Sequence, residues 1–400
     1  MKKIAIIGFG VVGSGVYEII RKNKDTLKRK AGEEIDIKRI LDIRDFSLHE
    51  EAELFTKDFN DLVSDPEIDI VVETMGGIRY AYEYTKALLQ AGKSMVTSNK
   101  ELVAAHGDEF FRIAEEKNVR YLYEASVGGG IPIIRPLAND VAANEVVSVS
   151  GILNGTTNYI LTKMFRENDS FESALKTAQE LGYAEKDPTA DVDGFDACRK
   201  ISILMSLVTG NKIPSRLVNT IGIRGISAED VRYASELGCA IKLIGHGFVM
   251  DGKVNASVEP MLVPKEFPLS CVEDVFNSVA VRGNMVDTLM FYGRGAGKLP
   301  TASAVVGDIV DIVRNGDYNP YFAWGDSKEE DIIPYEDVSA KFFVRISEDK
   351  IEKAKEVFGD REFIKGASDY GFITDEMSIE KIYAGIEKIG GAINKIRLYK

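Results

Sequence analysis

The chain has 400 residues, 45% of them hydrophobic, which is enough for a large core and too long for one ordinary domain, so two or three domains are expected. With 50 Lys and Arg against 63 Asp and Glu, the formal net charge of −13 argues against nucleic acid or an anionic membrane surface as a partner. The three cysteines, Cys198, Cys239 and Cys271, form no CxxC pair and the histidines His49, His106 and His246 are scattered, which excludes a disulfide framework or structural zinc site and points to a reducing cytoplasm.

The chain opens on a short apolar run, Ile4-Ala5-Ile6-Ile7, after Lys2-Lys3. This resembles the start of a signal peptide, but Gly8, Gly10, Gly13 and Gly15 interrupt it and Glu18 and Arg21 follow at once. A buried strand over residues 3–7 running into a turn explains it better. A helix is expected near 11–30. Strands follow at Glu34–Leu41, Ile68–Glu73, Lys93–Thr97 and Arg120–Glu124, with helices near 79–91 and 106–118. Strands alternating with helices predict an α/β domain over 1–125 with a doubly wound parallel sheet. No run reaches the roughly 18 apolar residues of a membrane span.

After residue 125 the pattern changes. Gly128-Gly129-Gly130 precedes Ile131-Pro132, Val146–Ile152 reads as a strand, and a long helical region reaches about residue 210. Further strands lie near 241–263 and 286–292, and Gly293-Arg-Gly-Ala-Gly297 leads into a helix near 301–314. An α+β domain over 126–300 is expected, with 301–317 packing back on the first domain. Residues 318–336 suit a linker. The tail over 335–400 reads strand (Ala340–Ile346), helix (Lys350–Phe358), strand (Arg361–Ser368), strand (Tyr370–Thr374), helix (Ser378–Ile389), strand (Ala392–Tyr399). That βαββαβ order is ferredoxin-like.

Gly8-Phe9-Gly10-Val11-Val12-Gly13 is a G-x-G-x-x-G motif. The first glycine permits the tight turn, the second lets the backbone approach a pyrophosphate, the third lets helix and strand pack closely, and the helix N-terminus favours phosphate charge. The motif is weak alone, but it follows an apolar strand and opens a helix. A Rossmann-type dinucleotide site is the reading, against a merely structural glycine turn. At the end of the second strand, Ile40-Leu41-Asp42-Ile43-Arg44-Asp45 carries both an acid suited to free ribose hydroxyls and an arginine suited to a 2′-phosphate. Arg44 tilts the reading to NADP and Asp42 leaves NAD open. Ser98-Asn99-Lys100 follows the fourth strand, where ligands of open α/β sheets bind, so Lys100 is either near the nicotinamide or a surface lysine opening a helix.

The most informative stretch runs from Gly182-Tyr183-Ala184-Glu185 through Asp187, Asp191 and Asp193 to Asp196-Ala-Cys-Arg-Lys200. Asp196 and Lys200 are four apart, on one helix face. A buried carboxylate beside a lysine fixes the ammonium for proton transfer. A solvated acidic loop and a calcium loop at Asp191-Val-Asp193-Gly are the alternatives, though the EF-hand spacing then fails.

Ala178-x-x-x-Gly182-Tyr183-Ala184-x-x-Asp187-Pro188-x-x-Asp191-Val192-x-Gly194-x-Asp196-x-x-x-Lys200 resembles, without a gap, the signature of the homoserine dehydrogenases. Ser98-Asn99-Lys100, Glu124-Ala-Ser-Val-Gly-Gly-Gly-Ile-Pro132, Gly151-Ile-Leu-Asn-Gly-Thr-Thr-Asn158 and Gly295-Ala-Gly297 with Pro300-Thr-Ala are similar too, so the resemblance covers about 1–320. It implies interconversion of aspartate 4-semialdehyde and homoserine with NADP or NAD, in a cytoplasmic homodimer or higher oligomer whose middle domain holds substrate and dimer contacts. It makes Lys200 the proton donor and acceptor and Lys100 a second charge on the developing alkoxide. Substrate would be held by Glu185, Asp196, Asp191, Tyr183 and Thr156, although Thr156 also suits plain helix capping. Cofactor would be held by Gly8, Gly10, Val11, Val12, Gly13, Arg44, Thr74, Ser98, Lys100, Gly182 and Gly297. Glu124 with the carbonyls of Val127, Gly129 and Ile131 resembles the family's Na⁺ site, against a plain glycine-rich hinge.

The tail resembles an amino-acid-sensing ACT module in element order, but Ile346-Ser-Glu-Asp-Lys350 lacks the Pro-Gly turn that lets a ligand approach the backbone. The tail is therefore either a threonine-sensing module or a structural or dimerising one. Two rivals remain: another Rossmann oxidoreductase, and a non-catalytic NAD(P)-binding amino-acid sensor. The first has no need of the Glu185–Asp196–Lys200 spacing, and the second no need of a buried proton donor.

Overall fold

The structure is a computed structural model that describes residues 1–316, 324–326 and 328–400. The chain divides into two compact units. The first comprises 1–146, 202–215 and 283–327, and the second 147–201, 216–282 and 328–400. Residues 126–146, 202–215 and 283–300, expected in the middle domain, group with the first unit, and the tail groups with the middle segment. Of the expected linker at 318–336, residues 318–323 and 327 lie outside the described residues, as does residue 317 at the end of the segment before it.

In the first unit, six parallel strands form one sheet: β1 (Lys2–Ile7), β2 (Ile35–Leu41), β3 (Phe55–Thr56), β4 (Ile68–Glu73), β5 (Ser94–Thr97) and β6 (Tyr121–Leu122). Their order is β3-β2-β1-β4-β5-β6, the doubly wound arrangement with its switch point between β1 and β4. Ile4–Ile7 and Ile70–Glu73 are wholly buried, as strands covered on both faces must be. β3 is too short to leave a periodic signal and was not expected. The helix expected near 11–30 is two, Val11–Lys22 and Lys24–Ala31, broken at Asn23. The helix expected near 106–118 begins earlier, at Lys100, because the Asn99 side chain caps the Leu102 N–H at 3.1 Å. Helix Lys298–Asn315 packs on Val11–Lys22 so closely that a Cβ on Gly15 would lie 2.8 Å from the Lys298 carbonyl oxygen. Fully buried Arg120 fastens the same helix, its Nη2 donating to an Asp311 carboxylate oxygen at 2.8 Å.

The second unit is built on a mixed sheet. Its strands are β7 (Val146–Ile152), β8 (Cys239–Met250), β9 (Lys253–Pro264), β10 (Phe276–Gly283), β11 (Phe342–Ile346), β12 (Ile364–Lys365), β13 (Tyr370–Ile373) and β14 (Asn394–Leu398). Their order is β10-β7-β8-β9-β14-β11-β13-β12. The tail follows the expected βαββαβ order, with its helices at Ile351–Phe358 and Ile379–Lys388. It is not a free module. β14 pairs parallel with β9 through Met261–Arg397 and Leu262–Leu398, so one sheet runs through both segments. Two buried charge clusters fasten it. Arg397 meets Glu259 at 3.0 Å, with the Tyr335 hydroxyl donating to the same carboxylate at 2.7 Å. Arg345 meets Asp230 at 2.6 Å and Asp369 at 2.9 Å.

His246 lies opposite Ser150 across β8 and β7, its Nδ1 2.8 Å from the Ser150 hydroxyl. Burial pulls the imidazole from 6.5 down to about 3. The unfolded chain therefore takes up this proton below about pH 6.5 while the fold refuses it, so stability is full above that pH and falls as pH drops towards 3. His246→Asn should flatten that loss, as read from urea unfolding midpoints at pH 7 and pH 4.5.

Candidate active site

In the second unit, the loop after β7 carries Leu153-Asn154 and ends in helix Gly155–Glu167. Helix Phe195–Thr209 begins beside it and brings Asp196 and Lys200 to the same place. Lys200 is 8% exposed, and its ammonium donates to Asp196 Oδ2 at 2.8 Å and to the Leu153 carbonyl at 2.7 Å. Two of its three N–H groups are thus engaged, and the third is the one a reacting oxygen would take. The Asn154 amide donates to Asp191 at 2.7 Å and to Asp196 at 2.9 Å, while its oxygen accepts the Thr157 N–H at 2.9 Å and caps the helix. One side chain therefore holds two carboxylates and a helix N-terminus together. Burial raises the Asp191 carboxyl above its ordinary value, with hydrogen bonding from Asn154 opposing the shift.

The Thr156 hydroxyl donates to the Tyr183 carbonyl at 2.7 Å, and the Tyr183 ring sits edge-on to Tyr159 at 5.1 Å. Gly182, at φ +75°, turns the chain after helix Phe171–Glu180. The Glu185 side chain is exposed, and only its backbone carbonyl is tied down, by Gln179 at 3.0 Å. The fold thus gathers Lys200, Asp196, Asp191, Thr156 and the Tyr183 backbone, and leaves the Glu185 carboxylate outside that network. The acids that looked like a calcium loop serve different partners, Asp191 bound to Asn154 and Asp193 paired with Arg224 at 2.5 Å.

In the first unit, Gly8 has φ +89° and a Cβ on Gly13 would lie 1.9 Å from the Gly8 carbonyl oxygen. Gly10, the N-cap of helix Val11–Lys22, has nothing within 4 Å of an added Cβ. The turn is thus closed on the side facing the sheet and open where a pyrophosphate would lie. The Thr74 hydroxyl donates to the Gly8 carbonyl at 2.7 Å. Asp42 accepts the Phe9 N–H at 2.7 Å and holds the Arg44 side chain at 2.9 and 2.8 Å; that guanidinium keeps the carboxyl well below the usual range. Gly297, at φ +127°, caps helix Lys298–Asn315.

Glu124 is engaged in another way than expected. Its carboxylate accepts the N–H groups of Ile133, Ile134 and Arg135 at 2.6, 2.8 and 2.9 Å, while its own N–H donates to Asp308 at 2.9 Å. The side chain fixes the segment after the glycine cluster.

The family model for homoserine dehydrogenase matches residues 132–310, and that for its NAD-binding domain matches residues 8–124. The homoserine dehydrogenase of Bacillus subtilis is 39% identical over 351 residues, covering 86% of this chain and 81% of that protein. The chain belongs to the homoserine dehydrogenase family. A crystal structure of the Thiobacillus denitrificans homoserine dehydrogenase matches with a TM-score of 0.92 at 35% identity, covering 100% of this chain and 98% of that one. A hyperthermophilic archaeal homoserine dehydrogenase in complex with NADPH matches with a TM-score of 0.68 at 30% identity, over 80% of this chain and 99% of that one. The chain is an oxidoreductase of this type, with a nicotinamide cofactor domain and a small-molecule substrate. The sensor alternative finds no support. No described helix is long and apolar enough to cross a membrane.

Sequence reading missed Asn154 and Glu73. Nothing in the sequence pairs Asn154 with its two acid partners, which are 37 and 42 residues away. Glu73 left one sign, a charge ending the otherwise apolar run Ile70-Val-Val.

The glycine geometry separates two substitutions. Gly10→Ala should leave the thermal midpoint unchanged and weaken cofactor binding about tenfold, because only the ligand side is filled. Gly13→Ala should also cost about 1–3 kcal/mol of stability through overpacking. Thermal melts with and without NADPH distinguish the two.

Proposed function

We propose that this protein reduces L-aspartate 4-semialdehyde to L-homoserine and runs the reverse reaction. Supporting this most directly is the buried Lys200, hydrogen-bonded to Asp196 and the Leu153 carbonyl with one N–H to give. Bound nicotinamide supplies or accepts the hydride at the substrate carbon. Lys200 delivers a proton to the alkoxide oxygen in reduction and takes the hydroxyl proton in oxidation. Asp196, held by Asn154, keeps the ammonium aimed. Lys100, the first residue of helix Lys100–Glu116, stabilises the developing negative charge. Glu185, exposed outside the Lys200 network, recognises the α-ammonium of the substrate, Asp191 completes the pocket, and Thr156 with the start of its helix takes the α-carboxylate. Tyr183 closes the pocket wall.

For the cofactor, Gly8, Gly10, Val11, Val12 and Gly13 cradle the pyrophosphate, with Thr74, Ser98, Gly182 and Gly297 as further contacts. We favour NADP over NAD. The Asp42 carboxylate is engaged by Phe9 and Arg44, which supports a role in presenting Arg44 to a 2′-phosphate. A structural Na⁺ would rest on the carbonyls of Val127, Gly129 and Ile131. The domain assignment of the sequence reading is kept in function, with a dinucleotide domain, a substrate and dimerisation segment, and an ACT-like tail that braces. The resemblance further implies a cytoplasmic homodimer or higher oligomer.

The test is reduction of NADP⁺ or NAD⁺ by L-homoserine, followed at the absorbance of the reduced nicotinamide. Wild type should turn over, and Lys200→Ala should lose roughly 10²-fold or more in kcat. No turnover with either cofactor, in either direction, would sink the assignment. Arg44→Ala should lower kcat/KM for NADP⁺ about tenfold or more while leaving NAD⁺ nearly unchanged, because a charged hydrogen bond contributes roughly 1.5–3 kcal/mol.

A further inference from the structure

Glu73 ends β4 at the switch point of the parallel sheet and is completely buried. A carboxylate there is costly, since burial raises it to about 7 even though hydrogen bonds from Thr97, Met75 and Asn99 oppose the shift. Its neighbours are neutral donors. Oε2 accepts the Thr97 hydroxyl at 2.6 Å, Oε1 accepts the Met75 N–H at 2.7 Å, and the Asn99 side chain also bonds to it. A valine or isoleucine would continue the apolar strand without that cost, so the carboxylate is poor as a stability device.

What it does is join two loops. Met75 belongs to the turn after β4, next to Thr74. Thr97 ends β5, next to Ser98. The Thr97 hydroxyl also accepts the Asn99 N–H at 2.9 Å, and the Asn99 amide donates to the Gly77 carbonyl at 2.7 Å, so the two turns are laced at both ends. The Thr74 hydroxyl then ties the first of them to the glycine turn at Gly8. Ligands of such sheets lie in the crevice beyond the carboxyl ends of these strands. One side chain therefore sets the spacing of the residues that line it.

We propose that Glu73 is a positioning residue for the nicotinamide cofactor, a buried carboxylate that locks the turn carrying Thr74 and the turn carrying Ser98, which leads into the helix opened by Lys100, into one wall. This rests on the reading that the crevice holds NAD(P). Glu73 touches neither substrate nor reacting atoms, so its effect should fall on cofactor binding and spare the substrate network on the Lys200 helix.

The experiment is a double-mutant cycle with Glu73→Gln and Thr97→Val, plus Thr97→Ser as the conservative rescue. The Kd for NADPH is read by nucleotide fluorescence, and KM for cofactor and for homoserine by steady-state kinetics. Each single variant should raise the NADPH Kd about tenfold, with the double no worse than the worse single, because both break one linkage. Thr97→Ser should return the Kd to within about twofold of wild type, and the homoserine KM should move less than about twofold throughout. Unchanged NADPH affinity in both single variants, fully additive losses, or an equal rise in homoserine KM would overturn the proposal. If Glu73→Gln fails to fold, the contrast between Thr97→Val and Thr97→Ser decides alone. If wild type binds neither NADPH nor NADH, it is the cofactor reading that fails.

Discussion

An ammonium and a carboxylate can be kept together out of water only when their remaining hydrogen-bond positions are filled. The Asp196–Lys200 pair meets that condition through two neighbours in the chain. Leu153 offers its carbonyl to Lys200, and Asn154 offers its amide to Asp196. Both belong to the turn leaving β7. The strand end, the cap of helix Gly155–Glu167 and the first turns of helix Phe195–Thr209 are thus mutually dependent. Moving any one leaves a buried charge without a partner, which is why the second unit can hold a buried lysine in one place.

The same logic governs the cofactor end. Backbone and side chain share the work there: the glycine turn is shaped by contacts at Gly8 and Gly13, while Thr74, Glu73 and Asn99 stitch the later turns to it. Asp42 holds both the Phe9 N–H and Arg44, so a residue that sequence logic treats as a competitor of the arginine acts as its support.

The tail shows a different use of buried charge. Arg397 with Glu259, and Arg345 with Asp230 and Asp369, lie in the second unit's interior where the tail meets the middle segment. Each pair would cost several kcal/mol to break on one side only. With β14 adding a strand beside β9, this makes the tail a continuation of the sheet. A brace of this kind agrees with the missing Pro-Gly turn after β11. The segment Asn219–Thr220 pairs with β9 as well, and Arg224 beyond it holds Asp193, so the acidic loop is braced from the same sheet.

By itself, the sequence determined the parts whose causes are local. A run such as Ile4–Ile7 can only be a covered strand, the G-x-G-x-x-G turn needs glycines where side chains would collide, and an i,i+4 Asp–Lys pair shares a helix face wherever the helix goes. The resemblance rested on such spacings, and the family is shown by the relatives. Short β3 and the break at Asn23 were illegible because neither has a periodicity to read. The tertiary structure alone decided the pairings across long separations. It put Asn154 between Asp191 and Asp196, Glu73 between Met75 and Thr97, and the Glu124 carboxylate against three N–H groups. It also merged the tail with the middle sheet. A side chain's type announces what it can bond, but only the folded chain supplies the partner.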